Sequence, residues 1–319
     1  MLIYDVNKRA EPTLGEIAMK PVPGLIGLIM AFAVAGAVQA APAFEDHYAN
    51  DGGVKIHYVA AGHGPLVVML HGFPDYWGTW KPLMGELDGS YRVVAMDLRG
   101  YNLSDKPQGV EAYAFPHLIA DVEAVIKAEG QSNAIIIGHD WGAAISWQLA
   151  MSRPDLVNKL IIMSVPHPAG FAREMATDKA QQTGSQYARN FQTPGFEKNL
   201  SPEMLAGMHG PDPAVRAEYL EAFKRSDIGD MLNYYRANYP KTTDGGAAMG
   251  APIKPIGVPV LVIHGMKDTA LRADGHAGTW NYVTADTTIL MIPGAGHWVQ
   301  HDAEGLVDRT VHDWLDARK

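Results

Sequence analysis

The sequence predicts an α/β fold: a mostly parallel sheet flanked by helices, with a helical cap inserted between two of its strands. Three observations predict it. Short apolar runs alternate with helical patterns along most of the chain. One long stretch departs from that alternation. The polar and glycine-rich segments suited to chemistry follow the ends of predicted strands.

The strands come first. Val54 to Ala60, Leu66 to Leu70, Tyr91 to Met96, Lys159 to Met163, Val258 to Ile263 and Thr288 to Ile292 read as strands. Ala134 to Ile137 is wholly apolar, as expected of a strand buried on both faces. Helical patterns lie between them. Phe115 to Glu129 repeats apolar residues at helical spacing (Leu118, Ile119, Val122, Val125, Ile126), Ala143 to Met151 follows the apolar strand, and Gly305 to Ala317 closes the chain. Such alternation implies a parallel sheet covered on both sides.

The departure runs from about Pro166 to about Pro252. It holds helical stretches such as Pro202 to Met208 and Ala214 to Phe223, the pair Tyr234-Tyr235, and then Pro240, Gly245 and Gly246. The predicted organisation is therefore an N-terminal extension over 1–40, a first core part over 41–165, the cap over 166–252 and a second core part over 253–319.

Bulk properties narrow the class. A chain of 319 residues with 47% hydrophobic and 19% charged residues can bury a large core. The net charge is −9 and no basic run is present, which argues against a nucleic-acid partner. The absence of cysteine removes disulfides, thiol catalysis and Cys-based metal sites. Thirteen scattered histidines contain no HExxH, and neither a phosphate-cradling loop nor a dinucleotide fingerprint appears, so no metal or cofactor is expected. Gly24 to Ala40 is apolar and ends in Val38-Gln39-Ala40, a small-x-small pattern typical of a secretory signal peptide. Met19-Lys20 makes a better start for it than the polar first eighteen residues. The expectation is cleavage after Ala40, an exported periplasmic or secreted protein, and no stable membrane insertion afterwards. An uncleaved anchor is the alternative reading.

The strand at Ala134 runs into Gly138-His139-Asp140-Trp141-Gly142, with a helix beyond. A G-x-nucleophile-x-G turn between strand and helix is a nucleophile elbow. It presents its central side chain at the carboxyl edge of the sheet, where open α/β folds bind ligands. Here that residue is Asp, which is ionised at neutral pH and needs no base to attack carbon. An Asp ahead of a helix also commonly serves as an N-cap, so the turn alone leaves both readings open. His71-Gly72-Phe73-Pro74 follows another strand end, and such a turn supplies an oxyanion-hole N–H alongside the residue after the nucleophile; the donors here are Phe73 and Trp141. Asp268 follows the strand ending at Ile263, and His297 follows the last strand in a glycine-rich loop.

Nucleophile, acid and histidine in that chain order resemble the α/β-hydrolase fold family. Within it the chain is similar to the epoxide hydrolases over roughly His57 to the C-terminus. The segments that carry the likeness are His71-Gly72-Phe73-Pro74-Asp75-Tyr76-Trp77 with Trp80, Asp97-Leu98-Arg99-Gly100-Tyr101, the Asp140 turn, Val165-Pro166-His167-Pro168 and Gly296-His297-Trp298. They are more specific for the fold and for an Asp nucleophile than for a substrate. Asn102 stands where relatives often have Gly, and Asn tolerates a left-handed backbone. The resemblance implies a cis peptide at Phe73-Pro74. It implies two cap tyrosines that bind the epoxide oxygen, at Tyr187 and Tyr235, with Tyr234 as the alternative to Tyr235. It also implies substrate contacts from His71, Pro74, Trp141 and Trp298.

The implied reaction converts a small-molecule epoxide and water to a vicinal diol. Asp140 attacks a ring carbon, the tyrosines donate to the oxygen, and Asp268 orients His297 to activate the water that frees the ester. The nearest alternatives are a haloalkane or haloacid dehalogenase with the same Asp nucleophile, and a secreted effector on this fold. A serine esterase is ruled out by Asp140; Ser146 on the next helix reads as structural. A homodimer is compatible with the sequence, which leaves oligomeric state and substrate size open.

Overall fold

The protein is described by a computed structural model covering residues 44–241 and 252–319. The apolar run, the start at Met19, the cleavage after Ala40 and the Gly245-Gly246 end of the cap lie outside the described residues.

Eight strands form one sheet: β1 (Glu45–Asp51), β2 (Val54–Gly62), β3 (Leu66–Leu70), β4 (Arg92–Met96), β5 (Ala134–His139), β6 (Val157–Met163), β7 (Val260–Gly265) and β8 (Thr287–Ile292). Their order is β1-β2-β4-β3-β5-β6-β7-β8. β1 and β2 pair antiparallel, as do β2 and β4, and every pairing from β4 to β8 is parallel. The central strands β3, β5 and β7 are buried at every position, which is why they read as unbroken apolar runs. β1 was not expected. Its polar sequence EDHYAND is mostly exposed, and charged side chains suit a strand that stands at the sheet edge among the described residues.

Alternate residues of the strands feed two cores. Val68, Leu70, Ile136 and Ile162 pack on one face; Val67, Met69, Ile137 and Ile161 pack on the other. The first face is covered by α2 (Phe115–Ala128), α3 (Trp141–Ser152) and the cap; the second by α1 (Lys81–Leu87) and the C-terminal helix Glu304–Asp316. α3 begins two residues before its expected start, and apart from its last residue it is buried throughout.

Between β6 and β7 the chain forms α4 (Pro168–Thr177), α5 (Lys179–Gly184), α6 (Gln186–Phe191), α7 (Pro202–Ala206), α8 (Pro213–Arg225) and α9 (Ile228–Asn238). Several start where sequence chemistry allows. Ser201, Asp212 and Asp227 accept N–H groups of their own first turns, and Pro168, Pro202 and Pro213 stand at first helical positions. These helices rest on the turns after β3 and β4. His209 donates to the Pro74 carbonyl (2.7 Å), Tyr219 donates to Asp75 (3.0 Å), and the Asp227 N–H donates to the Gly100 carbonyl (3.0 Å). Val299–Asp302 forms a further short helix, α10, before α11 (Glu304–Asp316).

Candidate active site

β5 ends and α3 begins around Asp140, whose backbone sits at φ +50°, ψ −119°. A non-glycine residue is seldom found there, and such strain persists only where its surroundings enforce it. The two flanking glycines allow the bend. A Cβ on Gly142 would overlap the Leu70 carbonyl, and one on Gly138 would overlap the Gly142 carbonyl. The Asp140 side chain makes no cap bond to α3. Its Oδ1 instead accepts the Phe73 N–H at 2.7 Å, and its Oδ2 lies 3.4 Å from His297 Nε2. This geometry removes the N-cap reading. Burial favours the neutral acid, but the bond and charge of His297 outweigh it and hold the Asp140 carboxyl below its usual range.

His297 Nδ1–H donates to Asp268 Oδ2 at 2.7 Å. The other Asp268 oxygen accepts the N–H groups of Ala270 (2.8 Å) and Leu271 (2.9 Å), which fixes the carboxylate beyond the end of β7. Burial alone would strip the His297 proton. Asp268 and Asp140 on either side of the ring reverse that and raise it to about 10. The resting triad is therefore an imidazolium between two carboxylates. The His297 carbonyl accepts two bonds, from His139 Nε2 (2.9 Å) and the Ser164 hydroxyl (2.7 Å).

Tyr187 on α6 and Tyr235 on α9 reach the same place from the cap. Their rings meet edge to face with centroids 6.2 Å apart, and Tyr235 meets Trp141 in the same way at 4.9 Å. The Tyr235 hydroxyl is buried with no hydrogen-bond partner among the described residues. Burial, and then the Asp140 charge, raise both phenols well above their ordinary range, so both remain protonated donors. Tyr234 is different: its hydroxyl donates to the Arg99 carbonyl at 2.8 Å, deep in the core.

A cavity of about 350 Å³ opens over Asp140 and His297, with Phe73, Pro74, Tyr187, Phe191, Met208 and Trp298 among its walls. A small continuation of about 30 Å³ is lined by Asp140, Trp141, Tyr187 and Tyr235. The structure thus brings together Asp140, Asp268, His297, Phe73, Trp141, Tyr187, Tyr235, Pro74 and Trp298. His71 is the exception, and its expected substrate contact is corrected. It is fully buried and lines neither cavity. Its Nδ1–H donates to the Gly72 carbonyl (2.8 Å), and its Nε2 accepts the Leu98 N–H (3.1 Å), so both ring nitrogens serve the loop behind the site. Ser146 donates to the Gly142 carbonyl (2.6 Å). Phe73-Pro74 is cis, and Asn102 sits at φ +38°. Among the described residues no group of three or more His, Asp or Glu is arranged to hold a metal ion.

Sequence reasoning passed over His139, Ser164, Phe191 and Met208. His139 lies inside the elbow motif, whose pattern specifies only the two glycines and the central residue. The cap residues carry no local signal, because only folding brings them to the cavity.

The profile of the alpha/beta hydrolase fold family matches residues 65–304. The chain is 32% identical to epoxide hydrolase 3 of Xenopus tropicalis, over 83% of this chain and 76% of that protein. It is 34% identical to the AB hydrolase superfamily protein YfhM of Bacillus subtilis, over 84% and 96%. Among solved structures, the Bacillus megaterium epoxide hydrolase in complex with an inhibitor superposes with a TM-score of 0.79 at 31% identity, covering 85% of this chain and 100% of the other. The chain belongs to the alpha/beta hydrolase fold family and, within it, to the epoxide hydrolases.

Proposed function

We propose that this protein opens a small-molecule epoxide to a vicinal diol through an alkyl ester on Asp140. One observation carries the reading: a buried carboxylate faces an Asp-paired histidine, and two protonated phenols share its small cavity.

In the first half-reaction an Asp140 oxygen forms a bond to one ring carbon and the C–O bond of the ring breaks. Tyr187 and Tyr235 donate to the leaving oxygen, which would otherwise depart as a costly alkoxide. Esterification removes the Asp140 charge, one of the two that hold the proton on His297. The imidazole then becomes neutral, and the proton it gives up balances the one the alkoxide gains. In the second half-reaction His297 takes a proton from water and the resulting hydroxide adds to the ester carbonyl. The oxyanion is stabilised by the N–H groups of Phe73 and Trp141. Collapse expels the diol with the remaining proton and restores the carboxylate and the imidazolium. The cycle adds one water to one epoxide.

The test is the mass of the intact His297→Gln protein after separate incubation with a panel of epoxides and a panel of alkyl halides. A gain equal to the whole epoxide, mapped to Asp140, is expected. A gain of only an alkyl group from a halide would favour a dehalogenase, and no adduct with any electrophile would contradict an Asp nucleophile.

We further propose that the protein is exported, with the apolar run ending at Ala40 as a cleaved signal. The run and its small-x-small end support this. N-terminal sequencing of the mature protein should begin at Ala41; a retained extension would refute it.

A further inference from the structure

The loop that carries the base has a long way to go. β8 delivers His297 but lies three places along the sheet from β5, which delivers Asp140. The loop therefore crosses the ends of β7 and β6. At β7 it passes over Gly265, where a Cβ would overlap the Gly296 carbonyl oxygen. At β6 the Ser164 hydroxyl meets the His297 carbonyl, and at β5 His139 Nε2 meets the same oxygen. Two donors occupy both lone pairs of that carbonyl.

Neither donor is placed there cheaply. Ser164 holds φ +64°, a region non-glycine residues seldom occupy. His139 is fully buried, and its Nδ1 has no partner among the described residues. With its Nε2 against a carbonyl, the ring proton belongs on Nε2, and the bare Nδ1 faces no donor. His139 also precedes Asp140 directly in the chain, so the strand end that presents the nucleophile also grips the base.

We propose that His139 and Ser164 are positioning residues for His297: by sharing its carbonyl they set the reach of the imidazole to the ester on Asp140. This rests on the ester route above. If it holds, removing the grip should slow the half-reaction that needs the imidazole as base and largely spare the one in which Asp140 attacks. Misplacing a base by about 1 Å can cost on the order of 10²-fold.

The experiment is single-turnover kinetics with an epoxide substrate, reading ester formation and ester hydrolysis separately, in the native protein and in His139→Ala, His139→Gln and Ser164→Ala. In His139→Ala, ester hydrolysis should fall on the order of 10²-fold and ester formation by only a few-fold, so that ester accumulates. His139→Gln, which keeps an N–H donor, should recover much of the loss. Ser164→Ala, a smaller change at an independent position, should show the same asymmetry, milder. Native-rate hydrolysis in both alanine variants would overturn the proposal. So would an equal fall in both half-reactions that Gln does not relieve, the mark of a merely structural residue. A native protein that forms no ester overturns the ester route as well, which separates the two failures.

Discussion

Asp140 must satisfy two opposed requirements: it must stay charged while buried, and it must stand clear of the helix it precedes. The Phe73 N–H and the His297 imidazolium meet the first, and the strained elbow meets the second. On the proposed route the Tyr235 hydroxyl, which has no hydrogen-bond partner among the described residues, serves the substrate oxygen. Tyr235→Phe should therefore slow ester formation on the order of 10²-fold and leave ester hydrolysis nearly unchanged, as transient kinetics would show. The pH dependence follows from the same charges. Ester formation needs the Asp140 anion, whose pKa is depressed, so its rate should be flat near neutrality and fall only at acid pH. Ester hydrolysis needs neutral His297. In the free enzyme that group titrates at about 10, but the ester has lost the Asp140 charge, so hydrolysis should rise with pH around a midpoint below that value. Rapid-quench measurements across pH check both. At this scale the sequence was legible where a strand-end motif fixes a side chain's place, as for Asp140, Asp268 and His297, which the fold brings together. It misled at His71, because the family motif marks a residue without saying whether its ring faces the cavity or the loop behind it.

Among the elements, the parallel order of the sheet determines how far each catalytic loop must travel. The strands buried on both faces were readable from apolar runs, with ends displaced by a few residues. β1 was not, since an edge strand carries polar residues on its open side and resembles a loop in sequence. α4, α5 and α6 were equally hard to delimit, because their faces are shaped by the cap rather than by a long amphipathic repeat. The crossing of the β8 loop over β7 gives a sharper test. Gly265→Ala should displace Gly296 and with it His297, lowering kcat on the order of 10²-fold and stability by about 1–3 kcal/mol. Urea unfolding alongside steady-state kinetics would measure both. An unchanged kcat would mean that the loop finds another path.

For the molecule as a whole, a charge array centred on a buried histidine ties the sheet edge to the core. His57 is fully buried; its Nδ1 faces Asp97 at 2.7 Å and its Nε2 faces Asp46 of β1 at 2.9 Å. Burial opposes its charge, but Asp97 and then Asp46 prevail and raise its pKa above 6.5. A histidine with a raised folded pKa contributes its full stability below the unfolded value and loses it as pH rises through the folded one. His57→Gln should therefore cost about 2–3 kcal/mol at pH ~6, with the gap to the native protein narrowing as pH rises. Melting curves at several pH values would reveal a constant gap if the array were unimportant. The fold class and its inserted cap were legible from the alternation of strands and helices and its interruption. The contacts that seat the cap on the core, such as His209 on Pro74 and Tyr219 on Asp75, were not, because they join residues more than a hundred positions apart. The proposed route turns on water attacking an enzyme ester rather than the epoxide itself. A single turnover in heavy-oxygen water, followed by mass analysis of the peptide containing Asp140 and of the diol, decides it: the isotope should appear in the Asp140 carboxylate and be absent from the diol. Label in the diol, with none in Asp140, would contradict the account.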